Sequence, residues 1–166
     1  MFKKTIKIMD WISYALLIIF SSAMVISTFL QVIFRYLFNS PLFWSEELSR
    51  YCFVWIVFVG AAIAMKQGAH IGVDYLVKKL PSRFKNYLKI AINSLIISFL
   101  VIIINQSILV VIVNMSQHSP AIRIPMGLIY LAIPVGFSLM LGYIIIMNYK
   151  LLNSIPSYQG KRQEIK

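Results

Sequence analysis

The chain has 166 residues, 60% of them hydrophobic, and a mean hydropathy of +0.81. Soluble globular domains carry about 45–50% apolar residues, so an ordinary soluble fold is excluded. The net charge of +11 would suit nucleic acid, but the basic residues flank apolar stretches, where anionic lipid headgroups account for them.

No charged residue stands between Trp11 and Phe34. A hydrocarbon core of ~30 Å needs about 20 apolar residues at ~1.5 Å each, so this stretch spans a membrane unaided. Lys3, Lys4 and Lys7 before it, with Ser21-Ser22-Ala23 inside it, imitate a secretory signal. A signal's apolar region is only ~7–15 residues long, however, and here the run continues to Phe34, so a retained anchor is expected. Asp10 is placed to favour the start of a helix, and Trp11 and Tyr14 suit an interfacial belt. Ser21, Thr28, Gln31 and Arg35 fall on one helical face, as for packing against another helix.

The next charge-free stretch, 51–65, is too short alone and borrows Phe43, Trp44 and Leu48. Ser40 as N-cap and Pro41 at the first helical position predict a helix over 41–66. Glu46 and Arg50 stand four apart in the favourable order, and Glu46 and Glu47 together can offset Arg50 and Arg35. The group is either an exposed surface pair worth under ~1 kcal/mol or a partly buried latch at the membrane boundary, beside Trp44. Gly60 and Ala64 form a small-xxx-small pair that permits close approach of a helix from this chain or from a partner.

Gly68 and Gly72 then break the helix. Val73, Leu76, Val77 and Leu80 recur at i, i+3, i+4 and i+7, predicting a short amphipathic helix on the cytoplasmic surface, ended by Pro81. A third span lies within 90–122, with Ser94, Ser98 and Asn105 on one face and 116–120 as loop. A fourth occupies 124–149, where Pro134, Ser138 and Gly142 suggest a closely packed small face. The expected organisation is one four-helix transmembrane domain over 1–150 and a polar cytoplasmic tail over 151–166.

Lys3, Lys4, Lys7, Lys66, Lys78, Lys79, Arg83, Lys85, Lys89, Lys150, Lys161, Arg162 and Lys166 fall on one side of such a topology; Arg35, Arg50 and Arg123 fall on the other. The positive-inside rule then places both termini and the middle loop in the cytoplasm.

The chemistry is sparse. No ionisable group stands near the centre of any span, as a proton-driven carrier requires. His70 and His118 fall in loops on opposite sides, which argues against haem held between helices. Cys52 is the single cysteine, and no nucleophilic triad, metal-spaced cluster or phosphate-binding glycine loop is present. An enzyme is not expected, and neither is a cofactor. With no inverted repeat either, the chain reads as a subunit that positions a larger partner.

Arg35-Tyr36, then Pro41-Leu42-Phe43-Trp44-Ser45-Glu46-Glu47 with Arg50, resemble the small membrane (Q) subunit of TRAP transporters, the tripartite ATP-independent periplasmic transporters. Gly60-Ala61-Ala62, His70-Ile71-Gly72-Val73-Asp74, Ile124-Pro125 with Tyr130, and Pro134-Val135-Gly136-Phe137 with Met140 continue the pattern in order, from about Asp10 to about Asn148. The resemblance implies a bacterial inner-membrane transporter for organic acids such as C4-dicarboxylates or sialic acid. Its partners would be a separate large membrane subunit, in which sodium coupling resides, and a periplasmic substrate-binding protein. Arg35, Trp44, Glu47, Arg50, Gly60, His70 and Asp74 match the family pattern, with structural or assembly roles rather than substrate coordination; Ala64 joins them through its spacing from Gly60. The alternatives are a membrane anchor subunit of a respiratory complex, disfavoured by the missing buried histidines, and a small multidrug carrier, disfavoured by a first helix without a carboxylate.

Overall fold

The computed structural model describes residues 2–67 and 82–154. The protein is an all-α membrane protein with four spans long and apolar enough to cross a bilayer: Lys4–Tyr36, Phe43–Lys66, Tyr87–Ser116 and Met126–Leu152. The amphipathic helix expected over 73–80, with His70 and Asp74, lies outside the described residues, as do residue 1 and residues 155–166.

Helix α1 runs from Phe2 to Tyr36 without a glycine or proline to interrupt it. It begins well before Asp10, so that carboxylate sits inside the helix instead of marking its start. At the far end Asn39 takes the left-handed conformation (φ 50°), which asparagine tolerates, and the Ser40 amide reaches back to the Phe34 carbonyl at 3.1 Å. Ser40 thus closes α1 and does not cap the next helix. Helix α2 covers Phe43–Lys66, starting after Leu42 and not at Pro41. Ser45 turns its hydroxyl back onto the Leu42 carbonyl at 2.7 Å.

Helix α3 covers Ser82–Val113 and tightens into a single 3-10 turn over Asn114–Ser116. The fourth span is two helices, α4 (Met126–Tyr130) and α5 (Ala132–Ser154), interrupted at Leu131. Pro134 causes the interruption, because it has no N–H for the Tyr130 carbonyl. Bonds from Leu131 to Gly127 (3.0 Å) and from Val135 to Leu131 (3.2 Å) carry the ladder across the break. Helix α5 continues to Ser154, past the boundary expected at residue 150.

The four spans pack in a row. Helix α1 lies on α2 and meets α5 at one end, α2 lies on α5, and α5 on α3; among the described residues no Cα of α3 comes within 8 Å of one of α1 or α2. The α1–α2 contact includes Phe20 stacked on Trp55 with ring centres 4.9 Å apart, and α2 meets α5 through an edge-on Phe58–Phe137 pair at 5.6 Å. The core sits around α5, where Ala62, Leu100, Met140, Tyr143 and Ile144 form one buried cluster contributed by α2, α3 and α5.

Close approach depends on glycines of the fourth span. A Cβ on Gly136 would stand 2.7 Å from the Phe58 Cβ and 2.9 Å from its carbonyl oxygen, so no side chain fits between α5 and α2. A Cβ on Gly127 would meet the Val111 carbonyl oxygen at 2.7 Å, which makes the same demand between α4 and α3. Gly60 differs: a Cβ there meets nothing within 4 Å, and Ala64 is exposed. The small pair on α2 does not bring another helix of this chain close. Ser138 is also exposed, so the small face expected from Pro134, Ser138 and Gly142 is not packed along its whole length.

Gly136→Leu should therefore destabilise the chain by about 1–3 kcal/mol, the usual penalty for overpacking, whereas Gly60→Leu should leave its stability unchanged. Thermal unfolding of the two variants in detergent measures the difference, and equal melting temperatures would contradict the packing described.

Candidate functional site

Polar contacts gather at the two ends of the row. One end carries the loops 37–42 and 117–125; the other carries the start of α1 and the ends of α2 and α5.

At the loop end, Glu47 is buried in the first turns of α2, with 8% of its surface exposed. One carboxylate oxygen accepts the hydroxyl of Tyr51, one helical turn onward. The other accepts the backbone N–H groups of Ala121 and Ile122, both at 2.9 Å. A carboxylate offers only acceptors, and here three donors from two distant parts of the chain meet it. The loop is shaped to present those amides. Ser119 N–H bonds the Ile124 carbonyl at 2.9 Å, Met126 N–H bonds the Gln117 carbonyl at 2.8 Å, and the buried Ser119 hydroxyl accepts from Ile124 N–H at 3.2 Å. Arg123 turns the chain in the left-handed region, φ 61°.

The anticipated cluster of Arg35, Glu46, Glu47 and Arg50 does not form as a unit. Arg50 pairs with Glu46 at 3.1 Å, and both side chains are about two-thirds exposed, at 68% and 66%. Such a pair contributes under ~1 kcal/mol. Arg35 is exposed, with its guanidinium 6.0 Å from the Tyr36 ring centre, and Trp44 is also exposed. Glu47 is a latch, but it closes on backbone amides and not on arginine. The reason is geometric: Glu46 and Glu47 point about 100° apart on a helix, so one faces solvent with Arg50 while the other turns toward the loop.

Serines join α1 to α2 just beneath this clamp. The Ser45 carbonyl accepts from the Ser27 hydroxyl at 2.7 Å and from the Ser49 hydroxyl at 2.9 Å, while Thr28 and Ser49 hydroxyls lie 3.2 Å apart. Of the face expected on α1, Thr28 takes part; Ser27, its buried neighbour, was not anticipated. Ser94, Ser98 and Asn105 on α3 are exposed, and Ser98 and Asn105 bond back to their own helix, at Ser94 and Val101.

At the opposite end Asp10 ties three helices together. Its carboxylate takes the Lys66 ammonium of α2 at 2.8 Å and the Tyr143 hydroxyl of α5 at 3.0 Å. The buried Ser13 hydroxyl stands 3.4 Å from the same phenol. Asp10 was legible as an acid next to the membrane, but its partners lie 56 and 133 positions away. Nothing local announces them.

These contacts fasten helices and a loop; they define a multi-pass membrane protein whose polar groups serve its own architecture. Residues 24–153 match the family described as tripartite ATP-independent periplasmic transporters, DctQ component, and the chain belongs to that family. It is similar to a putative TRAP transporter small permease protein of Haemophilus influenzae, 37% identical over 109 residues, which is 66% of this chain and 68% of that one. A C4-dicarboxylate TRAP transporter small permease protein of Vibrio cholerae is 42% identical over 76 residues, covering 46% of this chain and 33% of the relative. A sialic acid TRAP transporter small permease protein of the same organism is 42% identical over 53 residues, covering 32% and 31%. The chain is thus a component of a TRAP transporter and not an enzyme, which removes the respiratory-anchor alternative.

Glu47→Ala should free the 117–125 loop, because it leaves the Ala121 and Ile122 amides without their acceptor. Limited proteolysis should cut that loop faster in Glu47→Ala than in the wild type, while Glu46→Ala behaves like the wild type. Equal cutting rates in all three proteins would show that the clamp does not hold the loop.

Proposed function

We propose that this chain is the small permease subunit of a sodium-coupled TRAP transporter for organic acids of the C4-dicarboxylate or sialic acid class. It scaffolds the large membrane subunit in the bacterial inner membrane and does not itself form the substrate site. A periplasmic binding protein delivers the acid to the assembly. Sodium is handled by the large subunit, and this chain uses no cofactor. Both termini face the cytoplasm.

The observation that carries the reading is where the charges lie. In the described spans the charged residues lie toward the two ends, and Asp10 with Lys66 at one end, and Glu46, Glu47 and Arg50 at the other, have internal partners. A carrier that couples ions to transport needs ionisable groups at mid-membrane, where charge is costly, and the described spans carry none there. The names of the Vibrio relatives support the two substrate classes. The face of α2 that carries Gly60 and Ala64, open in this chain, is offered to the large subunit, whose helices it could admit closely.

Purified and reconstituted alone, the chain should show no sodium-dependent uptake of succinate or N-acetylneuraminate. Together with its large subunit and binding protein it should support uptake of an acid of one of these classes. Uptake by this chain alone would overturn the scaffold reading. Co-purification addresses the α2 face: Gly60→Leu should lose the large subunit while Cys52→Ala retains it, and equal recovery would turn that face toward lipid.

For topology, reporter fusions after Lys166 and within 114–122 should report opposite sides, with the Lys166 fusion cytoplasmic. The same side for both would contradict an even number of crossings.

A further inference from the structure

Between α1, α2 and α5, at the end of the row that carries Asp10, lies a cavity of about 170 Å³ lined by Ile6, Lys66, Tyr143, Ile146, Met147 and Lys150. Four of these residues, Tyr143, Ile146, Met147 and Lys150, recur at i, i+3, i+4 and i+7 and so form one stripe along α5. The stripe is about 10 Å long. Its middle is apolar, and two lysines, Lys66 of α2 and Lys150 of α5, line the cavity.

The two lysines are not equivalent. Lys66 is held by Asp10 at 2.8 Å, and the Tyr143 hydroxyl is spent on the same carboxylate at 3.0 Å. Lys150 is exposed, and its ammonium has no hydrogen bond or ion pair among the described residues. Counting Lys66, Lys150 and Asp10, the site carries one uncompensated positive charge. A single phosphodiester neutralises it, while Ile6, Ile146 and Met147 supply the apolar wall that a glycerol backbone and the first acyl carbons need. A soluble anion would gain the charge but waste the wall. A zwitterionic lipid would bring its own cation to a site that already has one.

We propose that this cavity is a binding site for one anionic phospholipid, with its phosphate at Lys150 and its acyl chains against Ile6, Ile146 and Met147. The bound lipid pins α1 and α2 to the end of α5, where α1 otherwise reaches α5 through few groups. The site stands apart from the transporter reading, since it rests on the cavity and its charge alone.

The test uses the full-length chain in nanodiscs of mixed phosphatidylglycerol and phosphatidylcholine, released into the gas phase for native mass spectrometry. The wild type should retain one phosphatidylglycerol and discard phosphatidylcholine. Lys150→Gln should weaken retention about tenfold, as for the loss of one charge-assisted contact, while Lys150→Arg restores it. Lys4→Gln, which removes an exposed charge outside the cavity, should behave like the wild type. Circular dichroism of each variant checks that the helices are intact. Undiminished retention in Lys150→Gln, equal retention of phosphatidylcholine, or a matching loss in Lys4→Gln would each overturn the proposal. Displacement of the lipid by excess inorganic phosphate would assign the cavity to a soluble anion and overturn it as well.

Discussion

In hydrocarbon, an apolar helix gains little by leaving lipid for another apolar helix, so the distance of approach decides whether two spans hold together. The fourth span answers this at successive heights. Gly127 lets α4 meet the Val111 carbonyl of α3, and Gly136 lets α5 meet the Phe58 backbone of α2. Further along, Gly142 would crowd the Met9 side chain of α1 at 2.5 Å if it carried a Cβ. The fourth span is therefore the one on which the other helices gather. Its buried residues, Ala132, Met140, Tyr143 and Ile144 among them, follow from that position.

The polar contacts act where this packing is weakest. Helix α1 lies mainly on α2, and Asp10 gives it a second attachment to α5 through Tyr143. The loop before α4 has no sheet or helix to satisfy its amides. Glu47 satisfies two of them and so anchors that loop to α2. Both devices fasten the helices to one another without placing charge at mid-membrane.

A row also has consequences that a closed bundle lacks. Faces of its helices stay open, and side chains such as Phe53 and Val57 on α2 and Leu95, Phe99 and Ile102 on α3 remain exposed within the chain. In a soluble protein such surface would aggregate. In a bilayer it meets lipid or another subunit, and the open Gly60 position lies among it. The stated family and the shape of the chain thus agree: a component of a larger transporter has faces left to share.

The number of spans was legible from the charge-free stretches, because ~20 uncharged apolar residues have few alternatives to crossing a bilayer. The end of α1 near Tyr36 follows from a local rule about asparagine, whereas the interruption before Pro134 divides a stretch that reads as one continuous span. Local rules failed where two solutions were locally equivalent. Ser40 can cap a new helix or close the old one, and Asp10 can start a helix or bridge three. Gly60 and Gly136 are alike as glycines, and one faces open space while the other faces a backbone. Glu46 and Glu47 are neighbours with the same chemistry, yet one pairs with an exposed arginine and the other binds amides 74 and 75 positions away. Backbone amides exist at every residue except proline, so no residue type at 121 or 122 could mark them as the acceptor's target. Hydropathy and spacing, properties of neighbouring residues, determined that this is a four-span membrane protein with charges at its ends. Which helices touch, which glycine is crowded and what Glu47 holds depend on contacts between distant segments, and these only the tertiary structure decided.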